Sequence, residues 1–219
     1  MLRPSGIIAR LFLKARGGSG PDLSRGPLSD RIRETALSLL SDRHDAWSLE
    51  VGVGEGLLAE SMVSWGKTAR MIGLDMSLTN LKAAAKRLGG SRSLLVVCAR
   101  GDLPPFKSAL FSRVVCINTL HNQPSWEEAA AVIRAMCGLV GRGGSLLFDI
   151  RNGHDPLIRW AYRFSTVIDP STKRLPVLAY SLSRVEELLK DSGFRVSRKA
   201  PVRYPFWPVP SAYVIEAVR

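Results

Sequence analysis

The chain has 219 residues, which fits one large domain or a domain with a small cap. Hydrophobic residues make up 46% of it and charged residues 23%, ordinary for a globular protein with ample core material, and no apolar run approaches the roughly 20 residues a transmembrane helix needs. The formal net charge of +12 comes from scattered Lys and Arg without long like-charge blocks, a pattern of a generic basic surface more than of a dedicated nucleic-acid groove.

In chain order, Ile7, Ile8, Leu11 and Phe12 share one helical face, with Arg10 and Lys14 elsewhere. Residues 5–16 are therefore expected to form a short amphipathic helix that packs over the domain. A peripheral membrane contact or a transit-peptide-like role stays open for it. A Gly/Ser linker over 17–21 follows, so residues 1–28 read as a basic segment and linker and 29–219 as the domain proper. From there helix and strand patterns alternate, which predicts a parallel sheet covered on both faces. The expected order is helix 29–40, strand 47–51, a helix ending at Trp65, strand 69–74, helix 78–88, strand 94–98 and strand 113–118. Helix 126–139, a turn at Arg142-Gly143-Gly144, strand 145–150, helix 183–191 and strands 194–200 and 212–218 complete it. The three cysteines, Cys98, Cys116 and Cys137, sit in apolar surroundings without C-x-x-C spacing. They read as reduced core residues of an intracellular, cytoplasmic protein, with no metal bound.

The chemistry starts at Leu49-Glu50-Val51-Gly52-Val53-Gly54-Glu55-Gly56, where glycines alternate directly after a strand. Such a turn brings backbone N–H groups close to a ligand, and the helix that follows points its positive end into the same space. The dinucleotide spacing G-x-G-x-x-G is absent, because Leu57 occupies the third glycine's place and Gly56 comes one residue early. Taken alone, the string also fits an ordinary tight strand–helix turn. Asp75 ends the second strand 19 residues beyond Gly56. A carboxylate there can accept from both ribose hydroxyls of a nucleoside, or start the following helix at Ser77.

The E-x-G-x-G-x-G string resembles motif I of the class I S-adenosylmethionine (SAM)-dependent methyltransferases. Asp102-Leu103-Pro104-Pro105-Phe106 with Phe111-Ser112-Arg113-Val114 is similar to that family's acidic Leu-Pro-Phe segment, and Arg142-Gly143-Gly144-Ser145-Leu146 to its Gly-Gly turn before strand five. Two departures are visible: Arg113 stands where the family usually carries Asp, and Leu103 follows Asp102 without a spacer. The resemblance implies a Rossmann-like α/β fold of seven strands with the last antiparallel, and SAM as the methyl donor with S-adenosylhomocysteine (SAH) as product. It implies donor contacts from Glu50, Gly52, Val53, Gly54, Gly56, Asp75, Met76, Asp102, Leu103 and Asn118. In such a site Asp102 meets the adenine amino group with Leu103 beside the ring, and Glu50 organises the turn at the methionine end.

The acceptor should lie beyond the carboxyl ends of the strands, walled by 119–125, 151–182 and 201–211. Trp160, Tyr162, Phe164 and Tyr180, with Tyr204, Phe206 and Trp207 of the last hairpin, suit a flat or apolar acceptor there, or simply pack a cap. If the acceptor carries a proton of high pKa, His121 is the first candidate base, with Tyr162 and His154 behind it. The fourth strand is followed by neither a Pro-Pro-aromatic motif nor a Pro-Cys pair, and no RNA-binding module is visible. This favours the small-molecule branch resembling the ubiquinone/menaquinone-biosynthesis methyltransferases, with an apolar or anionic acceptor. An RNA or protein methyltransferase and a non-catalytic SAM-binding protein are the alternatives.

Overall fold

The computed structural model describes residues 26–40, 47–89, 94–163 and 178–219. The helix expected over 5–16, the linker over 17–21 and Phe164 lie outside them. The elements are α1 (Pro27–Leu39), β1 (Trp47–Val51), α2 (Leu57–Ser64), β2 (Arg70–Asp75), α3 (Leu78–Arg87), β3 (Leu94–Cys98) and β4 (Phe111–Cys116). A 3-10 turn (Leu120–Asn122) leads to α4 (Trp126–Leu139), β5 (Val140–Arg151), α5 (Pro156–Arg163), α6 (Leu182–Asp191), β6 (Arg195–Val202) and β7 (Ala212–Val218).

Three helix starts are marked in the sequence. Pro27 fills the first position of α1, where a missing N–H is harmless. Ser77 accepts from Asn80 N to open α3, and Ser125 accepts from Glu128 N to open α4, the latter in an S-x-x-E box. In α1 the buried residues Leu28, Ile32, Ala36 and Leu37 recur at helical spacing, so one stripe of the helix faces the sheet.

The seven strands form one sheet in the order β3-β2-β1-β4-β5-β7-β6, with β7 antiparallel to both β5 and β6. The central strands are buried on both faces, and successive side chains alternate between two cores because they point to opposite sides of the sheet. Val114 and Cys116 of β4 join Leu146 and Phe148 of β5 in a core shared with α4 and α6. Val115 and Leu147 join a second core on the other face, with α1, α2 and Leu81 of α3. The chain reverses direction across the sheet between β1 and β4, so the loops leaving these two strands flank a crevice. Open α/β sheets bind ligands at such a switch point.

Two expectations need correction. The Arg142-Gly143-Gly144 segment is not a turn before the strand, because β5 already begins at Val140. Pairing with β4 jumps from Phe111↔Val140 to Arg113↔Ser145, and the glycines absorb the surplus residues as a bulge. Gly143 has φ +69°, and a Cβ on Gly144 would sit 2.9 Å from the Ser112 carbonyl oxygen, so the bulge needs residues without side chains. Of the three cysteines, Cys116 and Cys137 are buried but Cys98 is exposed. It lies on β3, the sheet's edge strand, where neither face is fully covered.

Candidate functional site

The turn after β1 is held by the strand beside it. Gly52 N and Val53 N both donate to the Leu74 carbonyl (2.7 and 3.0 Å), and Gly54 N donates to Asp75 Oδ2 (2.9 Å). The other oxygen of Asp75 accepts from Ser77 N at 2.8 Å. Asp75 thus shapes two turns at once, and its role at the start of α3 coexists with its place at the crevice. The glycines divide the work. A Cβ on Gly52 would fall 2.2 Å from Thr119 Oγ1, so this glycine lets the loop after β4 close onto the turn. A Cβ on Gly56 would press on Ala84 of α3 at 3.1 Å, so the third glycine serves helix packing. Gly54, with φ +53°, has nothing within 4 Å of its missing Cβ and opens onto free space. Val53 is buried over Gly73, whose own missing Cβ would lie 2.9 Å away, and can offer a ligand only its main chain.

Glu50 lies beneath this turn, paired in register with Gly73 of β2 and Val115 of β4. It is 2% exposed, and its Oε2 has no hydrogen-bond partner. Burial pushes its carboxyl well above the ordinary range, Arg33 pulls it down, and Asp75 adds to the rise. A buried acid oxygen without a donor is costly unless a ligand supplies one.

At the ends of β2 and β3, Met76 and Leu103 are large apolar side chains left 76% and 71% exposed. Leu103 N donates to the Arg100 carbonyl (3.2 Å), which leaves the Leu103 side chain as its exposed part. The Asp102 carboxylate is gripped by Arg100 through two bonds of 2.9 and 2.7 Å. That hydrogen-bonded guanidinium holds the Asp102 carboxyl below its ordinary value. The pair is solvent-facing, so a competing ligand can displace it at little cost.

Beyond β4 and β5 lies a buried polar cluster on the α1 face of the sheet. Arg151 pairs with Asp149 (2.5 Å), donates to Asn118 Oδ1 (2.8 Å) and reaches Ser29 Oγ of α1 (3.4 Å). Asn118, with φ +58°, donates its side-chain amide to the Ser29 carbonyl and its N–H to Asp149. Its side chain is therefore committed to the fold. Arg151 also hydrogen-bonds the Tyr162 hydroxyl of α5, whose pKa is raised first by burial and partly restored by Arg151.

His121 sits in the 3-10 turn, 3% exposed, with Nδ1 unpartnered. Burial, then the charge of Arg151, hold its pKa well below the usual histidine value, so the imidazole is neutral at physiological pH. Above it passes the segment 178–180: Leu178 N donates to the His121 carbonyl, Tyr180 N to the Arg151 carbonyl, and Tyr180 Oη to the Leu120 carbonyl. Tyr180 is thereby a structural clamp. His154 is exposed and donates its N–H to Asn152 Oδ1. In the last hairpin, Trp207 Nε1 donates to Asp155 Oδ1, Tyr204 is drawn into the second core, and Phe206 stands fully exposed. The hairpin's aromatic residues thus do not act as one wall.

Sequence reasoning took Thr119 only as part of an acceptor wall, and missed Arg100, Gly73 and the Asp149–Arg151 pair. The last had a visible signal: two opposite charges two residues apart in an otherwise apolar strand fall on one face, where only pairing makes burial tolerable.

Among known proteins, a methyltransferase-domain family model matches residues 49–148. The chain is 33% identical over 125 residues to a ubiquinone biosynthesis O-methyltransferase of Xanthomonas oryzae pv. oryzae, covering 55% of this chain and 49% of that protein. It therefore spans about half the length of that relative. It is 26% identical over 165 residues to a demethylmenaquinone methyltransferase of Roseiflexus castenholzii, covering 71% and 66% of the two chains. The fold superimposes on magnesium protoporphyrin IX methyltransferase of Synechocystis PCC 6803, solved with bound SAH, with a TM-score of 0.67 at 18% identity over 99% of this chain and 95% of the other. The family match thus covers the segment from β1 to β5 with the glycine turn at the sheet's switch point, and the seven-stranded sheet has the Rossmann-like fold of the class I SAM-dependent methyltransferases.

Proposed function

We propose that this protein transfers a methyl group from SAM to a small-molecule acceptor. The observation that carries the reading is the unpartnered, buried Oε2 of Glu50 beneath a glycine turn that opens onto free space at Gly54. A methionine ammonium group would give that oxygen the donor it lacks. The exposed side chains of Met76 and Leu103 fit the two sides of a flat adenine, and Asp75 and Asp102 fit acceptors for the ribose hydroxyls and the adenine amino group. Asn118, with its side chain engaged, would contribute main chain only. The residues present therefore fit the donor.

SAM supplies, when bound, a methyl group already activated on a sulfonium. The protein's task is then mainly positioning. The switch-point crevice between β1 and β4 orients the donor, while 178–180 spans the carboxyl ends of β4 and β5 and keeps water from that side. A neutral His121 can accept a proton, although its lowered pKa makes it a weak base.

A small acceptor is supported by the names of the quinone-pathway relatives and by the pairing of the basic C-terminal stretch within the fold. Arg198 binds Glu216 and Lys199 binds Glu186, which removes two cations from any nucleic-acid surface. Calorimetric titration with SAH tests the donor reading: saturable binding supports it and no binding overturns it. Labelled SAM incubated with a metabolite extract, with mass-spectrometric identification of the product, tests the transfer. Tight SAH binding without transfer to any fraction would leave a SAM-binding protein and not an enzyme.

A further inference from the structure

A cavity of about 410 Å³ opens beside α5, lined by Gly153, Arg159, Trp160, Tyr162, Arg163 and Ala179. We propose that it binds the anionic group of a flat, apolar acceptor, with Arg159 and Arg163 pairing with the anion and Trp160 and Tyr162 lying against the ring system. The proposal rests on the methyl-transfer reading only in calling the ligand an acceptor.

At about 100° per residue, Tyr162, Arg159, Arg163 and Trp160 fall within roughly 160° of the circumference of α5. The buried Ile158 and Ala161 take the other side and fasten the helix to the domain. Two arginines one turn apart repel each other, and neither guanidinium has an ion pair or hydrogen bond among the described residues. Among the described residues no carboxylate lines the cavity. Among the described residues the nearest acid in sequence is Asp155, which is fully buried: its Oδ1 is taken by Leu157 N and Trp207 Nε1 (2.9 Å each), and its Oδ2 lies in the interior without a partner. It cannot neutralise the pair. A planar anion can, because a guanidinium fork matches carboxylate and phosphate oxygens, and an indole beside it stacks on a flat body. The Tyr162 hydroxyl is held by Arg151, so Tyr162 lines the cavity with its hydroxyl already engaged.

A chain of contacts connects the cavity to the donor side. From Tyr162 the contacts run to Arg151, from Arg151 to Asn118, and the next residue, Thr119, touches Gly52 of the glycine turn. An acceptor anchored by its anion at α5 would thus extend its other end toward the switch point.

The test is calorimetry on the full chain with 2-naphthoate, the uncharged 2-naphthamide and 2-naphthyl phosphate, each with and without SAH. Saturable binding of an anionic probe, roughly tenfold or more tighter than of the amide, is expected, and whichever anion binds more tightly names the group recognised. The double variant Arg159→Gln/Arg163→Gln should lose that preference while keeping its melting temperature and SAH affinity, since both side chains are exposed. Trp160→Ala should weaken acid and amide alike. Equal binding of acid and amide, no binding of either anion, or an unchanged double variant would overturn the proposal. Because SAH is titrated separately, anion binding without SAH binding would leave this site standing and refute the donor reading. SAH binding without anion binding would do the reverse.

Discussion

Glu50→Gln separates donor binding from folding more sharply than any other single change. The substitution keeps shape and removes the charge at a site 2% exposed, where Oε2 has no partner and burial holds the carboxyl well above its ordinary range. Losing a charge-assisted bond to the donor's ammonium costs about 1.5–3 kcal/mol, so SAH should bind roughly 10- to 150-fold more weakly. Stability should move the opposite way. A carboxyl whose folded pKa is raised contributes stability that is fully present below about pH 4.3, the unfolded value, and is lost as pH rises through the folded pKa. As the pH rises above about 4.3 the wild type accumulates that penalty and the Gln variant does not, so the comparison is made at pH 8. Relief of about 1 kcal/mol raises the melting temperature of a chain this size by about 2–4 °C, and the gap should close toward pH 4. Calorimetry and pH-resolved melting decide the matter. A Gln variant that binds SAH within threefold of wild type, or that melts several degrees lower at pH 8, would refute the reasoning.

Asp149→Asn should cost about 3–5 kcal/mol and be visible as a large drop in denaturant midpoint, because it leaves Arg151 as an uncompensated buried charge. The two glycines at the crevice should fail differently. Gly52→Ala should lower the melting temperature markedly, since its Cβ would collide with Thr119, whereas Gly54→Ala should fold with only about 1–2 kcal/mol of backbone strain yet bind SAH far more weakly; equal melting temperatures with equal affinities would contradict this division. His121 should show no imidazole titration by NMR near pH 6.5, because its folded pKa is depressed. The sign for stability follows: the unfolded chain binds a proton there and the folded one does not, so stability present above about pH 6.5 falls as the pH is lowered.

Much of the architecture was legible because periodicity reports it. The strands at 47–51, 94–98 and 212–218 and the helix at 126–139 match the expected bounds, since alternation and capping are local properties. The Gly-Gly segment before β5 was misread as a turn because a bulge and a turn demand the same residues. Short α5 escaped notice: its eight residues carry two buried positions, too few to establish a period. The exposure of Cys98 depends on β3 being the sheet's edge, a property of strand order.

The sequence by itself determined that a glycine turn, an acid after the second strand and an acid after the third would stand at the carboxyl ends of a parallel sheet. Spacing along the chain sets where each strand stops. Only the tertiary structure decided what those groups are free to do. It gave Gly54 the open space and Gly56 a helix to pack on, tied Asp102 to Arg100, buried the Asn118 side chain in the Asp149–Arg151 cluster and left Glu50 without a donor. Those outcomes rest on partners between two and 122 residues apart in the chain, from Arg100 and Asp102 to Ser29 and Arg151. Hydrogen bonding and burial act through distance in space, so they become readable only once the chain has folded.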